Sequence, residues 1–170
     1  MNKLKGKKKL NKIISAQLAP FGISKARLSD TFAYHFDNQK VDFKIALGLE
    51  DTIFSEFIKE RFNYDDTGNE FVISLLHEVG HHLANEEIEG LLLDFCESEK
   101  NRIETKMQYT TIEEEVIKLE WEYFNLPDEI MATAWAVKYA KEHPLEIQVL
   151  TKIIEEALAN FYKANGVTDD

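Results

Sequence analysis

The sequence predicts an α+β domain, predominantly helical, with a small edge sheet. Three observations carry that expectation. The 170-residue chain holds only 3 Pro and 7 Gly, so its elements run long with few breaks. Apolar residues recur at helical spacing over several windows. One short stretch alternates apolar with polar residues, which is the period of a strand. A 44% hydrophobic content, with 11 Phe, 6 Tyr and 2 Trp, supplies apolar surface for one buried core.

The chain divides into a basic N-terminal segment (1–18), read as flexible, a single domain (19–165) and a flexible acidic tail (166–170). Lys3, Lys5, Lys7, Lys8, Lys9 and Lys12 crowd the start. The net charge is −11, and the rest of the chain carries about −17. That balance disfavours a general nucleic-acid surface, although the basic start could touch an acidic partner, and a solvated, frayed terminus explains it as well. Ile13–Leu18 is apolar enough for an amphipathic turn or helix that Ala19-Pro20 interrupts. Thr31–Phe36 is aromatic with no clear period, and Asp37-Asn38-Gln39 reads as a turn.

Val41–Leu47 alternates and predicts a half-exposed edge strand, ended by Gly48. Asp51 or Thr52 then caps a helix through Phe62, with Ile53, Phe54, Phe57 and Ile58 on one face. Residues 63–69 are turn-rich. Glu70–Asn85 is the clearest helix, with Val72, Leu75, Leu76, Val79 and Leu83 forming an apolar face. Gly80 costs about 1 kcal/mol of helix propensity there, which a close neighbour would justify. Gly90–Phe95 suggests a short helix, and Glu97–Gln108 a loop or hairpin. Three helices complete the chain: Ile112–Phe124 capped by Thr110 or Thr111, Asp128–Lys141 after Leu126-Pro127, and Leu145–Tyr162 after His143-Pro144.

The chemistry concentrates at His77-Glu78-Val79-Gly80-His81. Four helical positions advance a side chain by about 400°, so His77 and His81 share one face, one turn apart. Two neutral imidazoles at that spacing can hold one Zn²⁺, and Glu78 beside them can handle the protons of an activated water. Ordinary hydrogen-bonded helix histidines remain the alternative. His82 points to another face and reads as a surface or supporting residue. A catalytic zinc needs a third protein ligand. Glu86, Glu87 and Glu89 lie too near in sequence to fold back easily, whereas Glu97, Glu99 and Glu104 stay open. Glu129 is preferred, because Ala132 and Ala136 on its helix permit close helix packing. Asp128 reads as a cap of that helix or a group orienting a ligand.

His77–His81 with Glu129 and Ala132 resembles the zincin metallopeptidases, specifically their glutamate-ligand branch and small metallopeptidase domains of bacteria, phages and mobile elements. The resemblance implies a zincin-like fold, Zn²⁺ as cofactor and peptide-bond hydrolysis with Glu78 as general base. Tyr109, Tyr123, Tyr139 and His143 are the candidate donors to a tetrahedral transition state. A peptide or protein substrate would align along the Val41–Leu47 strand. The rival reading is an inactive zincin-like interaction module. Lone Cys96 excludes an internal disulfide framework, and the sequence shows neither an export segment nor a membrane span, so a cytoplasmic protein is expected.

Overall fold

The computed structural model describes residues 5–84, 88 and 90–166. Glu86, Glu87 and Glu89, and tail residues 167–170, lie outside them. Among the described residues are seven α-helices, three strands and two short 3-10 turns (Ala19–Phe21 and Phe36–Asn38): α1 Lys7–Leu18, β1 Lys25–Leu28, β2 Ala33–His35, β3 Lys40–Phe43, α2 Leu49–Phe62, α3 Glu70–Ala84, α4 Gly90–Tyr109, α5 Glu113–Phe124, α6 Pro127–Glu142 and α7 Pro144–Ala164. The α+β architecture with a small sheet is as expected from periodicity.

The amphipathic turn or helix expected at Ile13–Leu18 is a helix, and it extends back through the lysine run to Lys7, where a flexible segment was expected. Residues 7–18 form α1, whose Leu10, Ile14 and Leu18 are buried in the main core while its lysines face water. Positions 10, 14 and 18 make a one-sided apolar stripe that the lysine run obscured.

The sheet also corrects one expectation. Its strand order is β1-β3-β2, with β3 parallel to β1 and antiparallel to β2. The alternating stretch is therefore the central strand, shorter than Val41–Leu47, and buried on both faces. Val41 and Phe43 enter the apolar core, and Asp42 on the other face is covered by an ion cluster. Arg27 from β1, His35 from β2 and Lys40 from β3 all reach Asp42, at 2.6, 3.0 and 3.3 Å. One carboxylate thus ties three strands together.

Burial alone would raise the Asp42 carboxyl, but hydrogen bonds from Arg27, His35 and Lys40 outweigh it and hold it below its ordinary range. A depressed folded-state value stabilises the native protein fully above the ordinary carboxylate range, and that contribution is lost as pH falls through the depressed value. Asp42→Asn should cost about 1–3 kcal/mol at neutral pH. The variant should also lose less stability than wild type between pH 5 and pH 2. Thermal melts across that range check both, and parallel pH curves for the two proteins would contradict the assignment.

Helix α3 runs through the centre of the molecule, with residues 72 to 80 all buried. Its closest partner is α6. A Cβ built on Gly80 would lie 2.3 Å from the Ala132 carbonyl oxygen and 2.8 Å from Ala132 Cα. Glycine is therefore present because the two backbones touch, as its position in a strong helix suggested.

α4 is one 20-residue helix, where a short helix followed by a loop or hairpin was expected. Cys96 and Ile103 are its buried residues, seven apart. Leu93, Glu97, Lys100, Glu104 and Met107 form a second helical stripe, which lines a cleft. A helix that borders a cleft has a mixed stripe in place of an apolar one, so its period is hidden to hydrophobicity alone. Other boundaries fall within a few residues of expectation. The largest shift is at α2, which begins at Leu49 because Asp51 accepts the Gly48 N–H at 2.6 Å.

Candidate metal centre

α3 presents His77 and His81 on one face, and the first turn of α6 presents Glu129 against them. The start of α6 is fixed by Leu126 in an extended conformation (φ −64°, ψ 145°) with Pro127 at the first helical position. The Gly80–Ala132 contact sets how closely the two helices approach. His77 Nε2 lies 3.0 Å from Glu129 Oε2, His81 Nε2 lies 3.3 Å from Glu129 Oε1, and the two imidazole nitrogens are 3.1 Å apart. Zinc bonds of 2.0–2.1 Å at tetrahedral angles require donor separations of about 3.3 Å. Two imidazoles and one carboxylate at this spacing fit a single divalent ion such as Zn²⁺.

The cluster matches the HExxH-plus-glutamate arrangement of the gluzincin metallopeptidases. Comparison with family models, curated proteins and solved structures gives no match to this chain. The gluzincin arrangement is therefore carried by the site itself, and it supports a zinc-dependent catalytic centre with peptidase chemistry.

Thr133 orients His77. The Thr133 hydroxyl donates to the Glu129 carbonyl at 2.8 Å, so at 3.0 Å from His77 Nδ1 it accepts the Nδ1 proton. With Nδ1 as the donor to Thr133, Nε2 is the nitrogen turned towards the cluster and available to a metal. Phe54 packs edge-on against the same ring at 5.0 Å. Glu129 is 2% exposed. Burial would raise its carboxyl, but His81 and His77 outweigh that and hold it well below the ordinary range.

Glu78 is also buried, on the cleft side of α3. Burial pushes its carboxyl up to about 7, with His77 opposing the rise and Glu129 adding to it. The cleft beside it holds about 650 Å³ and is bordered by β2 and by α2, α3, α4, α5 and the start of α6. It is acidic at its far end. There Glu120 is raised to about 7 by burial and by Glu50, against the pull of Lys44.

Of the four candidate donors, only Tyr123 lines the cleft, with its hydroxyl pushed up by burial and by the nearby Glu129 and Glu78 carboxylates. Tyr109 is 84% exposed at the end of α4. Tyr139 stacks on Trp135 and His143 and donates to Glu146, while His143 Nδ1 lies 3.3 Å from Glu146. None of these three lines the cleft, and Tyr139 stands ten residues along α6 from Glu129, about 15 Å up the helix axis.

Among the alternative ligands, Glu97 and Glu104 line the cleft outside the triad, and Glu99 pairs with Arg102 at 2.9 Å. His82 is a supporting residue, its Nδ1 2.7 Å from the Tyr34 hydroxyl. That bond ties α3 to β2. Asp128 pairs with a group that sequence reasoning missed, Lys100, which reaches across from α4 to contact both Asp128 and Glu129. Its position in the mixed stripe of α4 was the available signal.

Proposed function

We propose that this protein is a zinc metallopeptidase in which His77, His81 and Glu129 hold the metal and Glu78 is the general base. The observation that carries the reading is the meeting of Glu129, 52 residues beyond His77 in sequence, with both motif histidines at ligand spacing. Bound zinc would supply Lewis acidity, acidifying a water and polarising the scissile carbonyl. Glu78 takes the proton of the attacking water and delivers it to the departing amine. Tyr123 is the donor best placed to stabilise the developing oxyanion.

The substrate strand aligns on β2, the sheet edge at the cleft, in place of the central β3. β2 also borders the base, because Tyr34 and Glu78 line the same cleft. An extended peptide laid beside this edge would be held by backbone hydrogen bonds, which suits a protein or peptide substrate. No helix among the described residues is long and apolar enough to cross a membrane. Cys96 is buried and free, which fits a reducing compartment, and we read the protein as cytoplasmic.

Metal analysis of the purified chain tests this directly. About one zinc per chain is expected, with His81→Ala lowering affinity by at least about 100-fold. Tyr123→Phe should keep its zinc and lower kcat on a cleavable peptide with little change in KM. A chain that binds no zinc, or one whose peptide cleavage survives His81→Ala, would overturn the proposal.

A further inference from the structure

Lys100 is the one ammonium in contact with the metal cluster among the described residues. It comes from α4, outside the HExxH helix and the Glu129 helix. Its Nζ contacts Glu129 Oε1 and Asp128 Oδ2 and lies 5.3 Å from the centre of the Tyr123 ring. The carboxylates it pairs with are almost fully buried, and Asp128 Oδ1 has no hydrogen-bond partner among the described residues. A buried carboxylate pair of this kind requires compensation by a cation.

We propose that Lys100 is a resident counter-cation of the metal centre, holding Glu129 and Asp128 and opposing the incoming dication, so that it sets metal affinity. The inference rests on the metal-centre reading above. Two effects have the same sign. Without metal, the ammonium neutralises Glu129 and Asp128, and removing it destabilises the metal-free protein. With metal, Lys100 and the dication are like charges sharing one carboxylate in a low-dielectric site, so their repulsion weakens binding. Loss of the ammonium therefore tightens metal binding on both counts. A residue that only propped the site in shape would do the opposite, since its loss would loosen Glu129 and weaken binding. Lys100 is thus a positioning residue with an electrostatic cost, and the affinity of the site is lower than its three ligands alone would give.

The test is competition for zinc between the full-length protein and a chromophoric chelator. Lys100→Met should bind zinc at least about tenfold more tightly than wild type, through the lost repulsion. Lys100→Gln should show the same sign while keeping a hydrogen-bond donor near Asp128, and it serves if Lys100→Met does not fold. Lys100→Arg keeps the charge and should stay within about threefold of wild type. In thermal melts, Lys100→Met and Lys100→Gln should be less stable than wild type without zinc and gain more from added zinc. Unchanged or weaker zinc binding in Lys100→Gln overturns this inference while leaving the metal centre standing. Failure of wild type to bind zinc removes both.

Discussion

Glu78→Gln is expected to lower kcat/KM for peptide cleavage by at least about 10²–10⁴-fold while zinc stoichiometry stays at the wild-type value. The substitution keeps the shape of the side chain and removes its ability to accept a proton. Because Glu78 lies between the two histidines in sequence but is not part of the ligand triad, the metal should be retained. The pH dependence follows with a definite sign. A general base works as the carboxylate, so activity falls as pH drops through its pKa. Burial sets that value at about 7 without metal, and a bound dication would lower it. The acid limb of kcat/KM should therefore lie at or below neutrality. Comparable turnover by Glu78→Gln at full zinc occupancy would rule Glu78 out as the base.

Gly80→Ala should damage both stability and the metal site. The added methyl would meet the Ala132 carbonyl oxygen at 2.3 Å and its Cα at 2.8 Å, and backbone atoms inside a helix cannot swing aside like a flexible side-chain tip. Relief requires α6 to move away from α3. Overpacking typically costs about 1–3 kcal/mol, and a backbone clash this close belongs at or beyond the upper end, which outweighs the roughly 1 kcal/mol of helix propensity that alanine gains over glycine. Glu129 stands one turn before Ala132 on the displaced helix, so its carboxylate would withdraw from His77 and His81. Chemical denaturation and zinc titration of the same variant read the two effects separately. Wild-type values in both would show that the helices do not need their close contact.

Residues His77, Glu78 and His81 were legible because helical periodicity alone places them on adjoining positions of one strongly apolar helix. Glu129 was legible at one remove, since a carboxylate in a first helical turn next to small residues is a chemically sensible third ligand. Gly80 likewise announced a close approach without naming its partner. Periodicity failed where the environment was neither core nor solvent. The α4 stripe of Leu93, Glu97, Lys100, Glu104 and Met107 faces a cleft, so its mixed polarity resembled a loop. The strand at Lys40–Phe43 alternated as a half-exposed strand should, yet Arg27, His35 and Lys40 bury its polar face around Asp42.

The sequence by itself determined the helical α+β character and the placing of His77, Glu78 and His81 together on one helix, because these depend on local spacing along the chain. Only the tertiary structure decided that Glu129 completes the triad, that Tyr123 and not Tyr109, Tyr139 or His143 faces the site, that β2 is the edge at the cleft, and that Lys100 stands on the metal's third ligand. Each of those depends on which faces of separate helices and strands meet. That is fixed by the packing of α6 against α3 at Gly80 and by the closing of α4 and α5 around the cleft, neither of which has a period in the sequence.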